Sequence, residues 1–97
     1  MKTLTQIKQV IKKYKKEIID KYYVKEIAVF GSYVRGEQKK KSDLDILVEF
    51  KRPIGLFEFI DLESYLKKII GIKIDLVSKK GLKPAIGKHI LEERSVI

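Results

Sequence analysis

The stretch from Phe30 to Val48 reads F-G-S-Y-V-R-G-E-Q-K-K-K-S-D-L-D-I-L-V, and few folds accommodate it. Two apolar runs with strand character flank a Gly31-Ser32 turn, a single arginine and a lysine-rich loop, and the second run opens on two aspartates spaced two apart. Side chains alternate across a strand, so Asp43 and Asp45 share one face while Leu44, Ile46 and Val48 share the other. Two carboxylates about 6 Å apart repel by roughly 3 kcal/mol at an effective dielectric near 20. Such a strand calls for a cation, and a hard divalent metal suits oxygen donors best.

Ninety-seven residues, 44% of them hydrophobic, suffice for one domain spanning 1–97 with a real core. No run of about 18 apolar residues occurs, and the N-terminal stretch is charged throughout, so neither a membrane span nor a secretory signal is expected. The absence of cysteine removes disulfides and thiolate chemistry and fits a cytoplasmic setting. A formal charge of +9 favours an anionic partner (nucleotide, nucleic acid or an acidic protein surface), although a partnerless lysine-rich surface has the same composition. Only three of the 22 basic residues are arginines. Arg35, inside a glycine-flanked turn, therefore stands out as a residue suited to planar, bidentate hydrogen bonding.

Along the chain, Thr3 and Gln6 have capping-box spacing, and Ile7, Val10, Ile11, Tyr14, Ile18 and Ile19 recur at helical intervals, which predicts a helix over 3–22. Its Lys12, Lys13, Lys15 and Lys16 read as a solvated face. Residues 26–30 predict a short strand buried on both sides. Residues 33–35 predict a short helix whose amides, with the Ser32 hydroxyl, form an anion site. A polar loop then runs from Gly36 to Lys41. A second strand covers 43–50, a turn with Pro53 follows, and a helix is predicted over 56–70. Leu56, Phe59, Ile60, Leu66, Ile69 and Ile70 form its apolar side, and Gly71 stops it. The third strand covers 72–77. A strand–helix–strand unit of this length makes the second and third strands parallel; if they are neighbours, Asp75 lies beside Asp43 and Asp45. Pro84 opens a last helix ending near Glu93, with Ile86, Ile90 and Leu91 on its packing side, and Val96 and Ile97 suit an edge strand or a partner contact. The single histidine, His89, falls in this helix and reads as remote from the motif.

A phosphate-sized turn beside three carboxylates is what phosphoryl and nucleotidyl transfer need. Negative oxygens must be neutralised, a hydroxyl must lose its proton, and the leaving pyrophosphate must be steadied. Asp43 and Asp45 would bridge two divalent ions, with Asp75 holding the second near the attacking hydroxyl and taking its proton.

Gly31-Ser32, Arg35-Gly36 and Ser42-Asp43-Leu44-Asp45, followed by Asp75 in K-I-D-L-V, resemble the signature of the DNA polymerase β-like nucleotidyltransferase superfamily. At this length the chain is similar to the minimal nucleotidyltransferases, the MNT or MntA-type antitoxins, over about residues 25–93. The resemblance implies an α+β or α/β fold: a small mixed sheet of about three to four strands flanked by helices, like the polymerase β palm. It also implies that Gly31, Ser32, Arg35 and Ser42 lie on the phosphate side, and that Asp43, Asp45 and Asp75 bind Mg2+, with ATP as substrate. The implied activity is transfer of AMP to a tyrosine hydroxyl of a HEPN-domain RNase toxin, which neutralises that toxin. Two other readings stay open. One is an antitoxin that acts by docking alone; the other is nucleotide addition to RNA, which the basic first helix favours and the lack of interleaved aromatics disfavours.

Overall fold

Thr3 opens the first helix in the computed structural model, which describes residues 2–97. Its hydroxyl accepts from the Gln6 amide at 3.3 Å, and the Gln6 side chain accepts from the Thr3 amide at 2.9 Å, so the predicted capping box forms. Helix α1 covers Leu4–Tyr22 and stops at Tyr23, whose φ of 56° is left-handed. The helix ends where expected, and strand β1 begins directly after it, at Val24 rather than at the expected Glu26, and runs to Phe30. Next come α2 (Ser32–Arg35), β2 (Leu44–Phe50), α3 (Leu56–Ile70) and β3 (Ile74–Ser78). A 3-10 turn (Lys79–Gly81), α4 (Pro84–Glu93) and β4 (Ser95–Val96) complete the chain.

Among the described residues the fold is α+β: a four-stranded mixed sheet in the order β3-β2-β1-β4. Strands β2 and β3 are parallel neighbours, as the intervening helix predicts, and β1 runs antiparallel to both β2 and β4. Pairing of Val96 with Ala28 bears out the edge-strand reading of the C-terminus.

Alternation sorts the side chains onto two sides of this sheet. Ile27, Val29, Leu44, Ile46 and Val48 pack against Ile7, Ile11 and Ile18 of α1 and Leu62, Leu66 and Ile70 of α3. Ala28, Phe30 and Leu47 point the other way and meet Ile90 of α4. Strand β1 is thus apolar on both sides because helices cover both. Each fully buried leucine here contributes about 2 kcal/mol of transfer free energy.

Several expectations need correction. Leu56 and Ile60 do not join the packed side of α3 but face solvent, and the buried positions are Leu62, Leu66 and Ile70. The helical period was right, but the stripe is centred further round the helix. Ile86 is likewise exposed, with Gly87 and Ile90 turned to the sheet. Strand β3 starts at Ile74, because Gly71 leaves α3 at a φ of 79° and the chain must bend before it can pair. No helix among the described residues is long and apolar enough to cross a membrane.

Candidate active site

The turn after β1 is built on Gly31, whose φ of 78° and ψ of −151° suit glycine alone. A second constraint acts at the same place. Phe30 pairs with Asp45 across the β1–β2 ladder, and a β-carbon on Gly31 would lie 2.1 Å from Asp45 Oδ2. The turn therefore packs backbone directly against a carboxylate. The Val34 and Arg35 amides donate to the Gly31 carbonyl at 3.0 and 3.2 Å, which closes α2 as a single turn. Those two amides and that of Gly31 are already engaged, so the anion site expected here is less open than the sequence suggested.

Asp45 and Asp75 are direct partners in the parallel β2–β3 register. Asp45 is half-buried, and its carboxyl is pushed up to about 6. Burial is the largest cause, followed by the charge of Asp75 and a hydrogen bond with it, then the charge of Asp43; Arg35 pulls the other way. Asp43 lies just before β2, exposed, with its charge within reach of Asp45. The structure thus joins Asp45 to Asp75 and leaves Asp43 at the rim. Among the described residues no three acids or histidines converge as a ready-made metal cage.

Ser32 is half-buried at the turn. The Ser42 hydroxyl accepts from the Lys39 amide at 2.8 Å, and the Ser42 amide donates to the Lys39 carbonyl at 2.9 Å, so Ser42 closes a tight turn in the lysine loop. Arg35 is held by carboxylates, through Nε to Glu37 and through Nη1 to Glu93. These partners raise its already high pKa.

Glu93, at the end of α4, is the site residue that sequence reasoning missed. One of its oxygens accepts from Arg35 and the other from the Gly31 amide at 3.1 Å. Burial pushes its carboxyl up, but Arg35, the Gly31 amide and the nearby His89 outweigh that and hold it below the ordinary glutamate value. A signal existed in the sequence: an acid in the last turn of a helix opposes the macrodipole and needs a partner elsewhere. His89 is exposed but, against expectation, not remote, since it lies one turn before Glu93 and acts on its charge.

A family model described as a nucleotidyltransferase domain matches residues 11–97. The protein adenylyltransferase MntA of Thermococcus cleftensis is 48% identical over 93 residues, spanning 96% of this chain and 94% of that protein. A solved protein described as a candidate minimal nucleotidyltransferase superposes with a TM-score of 0.76 at 28% identity, covering 92% of this chain and 93% of that one. At 19% identity and a TM-score of 0.69, the same fold occurs in a Shewanella oneidensis complex of a tri-AMPylated HEPN toxin with its MNT antitoxin, covering 93% of this chain and 70% of that one. The chain belongs to the nucleotidyltransferase domain family and is a nucleotidyltransferase of the minimal, MntA-like kind.

Proposed function

We propose that this protein is a Mg2+-dependent protein adenylyltransferase that moves AMP from ATP to a tyrosine hydroxyl of a cognate HEPN-domain toxin, and so acts as that toxin's antitoxin. One observation carries the reading: Asp45 and Asp75 stand in register on adjacent strands, against a turn with no room for a side chain, in a chain 48% identical to a protein adenylyltransferase. The complex of a HEPN toxin with an MNT antitoxin supports the choice of acceptor.

The donor set fits a hard divalent cation. It consists only of carboxylate oxygens, and Asp45 is driven up first by burial and then by the like charge of Asp75, which a cation would relieve. Asp43, Asp45 and Asp75 would hold Mg2+, with Asp43 moving in from the rim. Bound there, Mg2+ supplies neutralisation of charge on the phosphate oxygens.

The remaining work falls to the protein. Ser32, beside the Gly31 turn, donates its hydroxyl hydrogen to a phosphate oxygen. Arg35, oriented by Glu93 and Glu37, places a fixed positive charge beside the phosphates. Ser42 holds the lysine loop closed at the entrance. Asp75 accepts the proton of the tyrosine hydroxyl as that oxygen bonds to the α-phosphorus and the bond to the pyrophosphate oxygen breaks.

The test is transfer of label from α-labelled ATP to the purified HEPN protein, read by intact mass. We expect AMP additions with wild type and none with Asp43→Ala plus Asp45→Ala. Equal labelling by the double variant would overturn the proposal. Toxin neutralisation that survives the double variant in cells would favour docking without catalysis.

A further inference from the structure

At the far end of the sheet, away from the acid pair, three large apolar side chains stand in solvent: Leu56 at 72% exposure, Phe57 at 82% and Ile60 at 48%. They lie on the outward side of the first two turns of α3, at i, i+1 and i+4, and form one patch. Through Leu56 the patch continues into a groove of about 720 Å³ between the 51–55 turn and the 3-10 turn, floored by Phe50 and Phe59. Helix α3 has no structural need of these three, because Leu62, Leu66 and Ile70 already anchor it. Contiguous apolar surface of this kind marks a binding face.

The rim identifies the occupant. Lys51, Arg52, Lys79 and Lys80 line the groove, against a single acid, Glu49, which Lys79 already pairs at 3.5 Å. On the helix, Glu58 turns back to accept from the Gly55 amide at 3.2 Å. The Arg52 guanidinium carbon sits over Tyr23, 3.5 Å from its ring centroid. A second copy of this chain would bring these cations against themselves, because a two-fold interface apposes a patch with its own image. A lipid surface is flat and leaves a concave groove unfilled, and Phe57, the one exposed ring of the patch, gives successive nucleobases no run of rings to stack on. What fits is a protein element carrying apolar side chains bordered by carboxylates.

We propose that this face is where the acceptor protein docks, through such an acidic, apolar element, leaving the reacting edge of the sheet open. Strand β2 separates the two places: from Asp45 to Phe50 the extended chain covers roughly 16 Å. An acceptor anchored here is therefore held near the acid pair without blocking it, and its hydroxyl is delivered at high effective concentration. The inference rests on the preceding reading for the identity of the occupant.

The experiment measures binding of the full chain to the cognate HEPN protein without ATP, so that chemistry plays no part. Two pairs of surface variants are used, Leu56→Ser with Phe57→Ser and Lys51→Glu with Lys80→Glu. We expect each pair to raise Kd at least tenfold and added salt to weaken the wild-type complex. Wild-type affinity in either pair overturns the inference. So does self-association of the chain, or binding to phosphatidylserine vesicles, that either pair abolishes. Asp45→Asn run alongside keeps the two proposals separate. Unchanged variant affinities with AMP transfer intact sink only the docking face. Face-dependent binding with no AMP transfer by wild type sinks only the enzymatic reading.

Discussion

Glu93 grips Arg35 with one carboxylate oxygen and the Gly31 amide with the other, so the last helix holds the turn and its arginine together. The two contacts act on one geometry. Arg35 is half-exposed and would otherwise be held only by the exposed Glu37, while the Glu93 side chain is only 14% exposed and anchored.

Replacing Glu93 with glutamine keeps an acceptor for the Gly31 amide but removes the better buried of the two charges that order Arg35. A charge-assisted hydrogen bond contributes about 1.5–3 kcal/mol, so kcat/KM for AMP transfer should fall by about 10- to 100-fold. Steady-state kinetics with the HEPN acceptor provide the check, and Arg35→Lys should show a similar loss.

Gly31 and Gly36 separate steric from conformational demand. Both have positive φ, 78° and 70°, but a β-carbon at Gly36 meets nothing within 4 Å, whereas at Gly31 it meets Asp45. Gly36→Ala should cost about 1–2 kcal/mol in stability and retain transfer. Gly31→Ala should cost more, about 3 kcal/mol or above, and abolish transfer by displacing the Asp45 carboxylate. Thermal melts followed by label transfer distinguish the two.

The raised pKa of Asp45 makes stability depend on pH in a stated direction. Its ordinary value is 3.8 and its folded value about 6, so between these the unfolded chain releases a proton that the folded chain keeps. Stability from this group is therefore highest below 3.8, falls as pH rises through the window, and reaches its floor above 6. Asp75→Asn removes part of the cause. In urea titrations it should gain about 1 kcal/mol over wild type at pH 7.5 and little at pH 4, allowing for screening of a half-exposed group. Millimolar Mg2+ should narrow the gap at pH 7.5.

At the other end of the chain, Thr3→Ala deletes the capping hydroxyl that accepts from Gln6. About 1 kcal/mol of stability should be lost without any change in AMP transfer, measured by urea unfolding and label incorporation.

The sequence foretold what depends on local pattern. Helix α3 begins at Leu56 and ends at Ile70 as expected, because its period and the Gly71 stop lie within one short window. The strand–helix–strand unit foretold that β2 and β3 are parallel, but their adjacency, and with it the register of Asp45 with Asp75, came only from the fold. The position of Glu93 in the last turn hinted that it needs a partner, but which partner was out of reach, because its bond to Gly31 joins residues 62 apart and no periodicity links them. The outward turn of Leu56, Ile60 and Ile86 was hidden for another reason: an apolar residue at helical spacing looks the same whether it faces the core or awaits a partner.

The closure of the Gly31 turn by Glu93 also sets an order on biosynthesis. The paired aspartates arise within residues 44–78, but the clamp on the turn comes only from residue 93. A nascent polypeptide halted before that glutamate would carry the acids without a fixed bend beside them. Nucleotide turnover would thus begin only once translation has passed that codon and the final helix has settled onto the sheet.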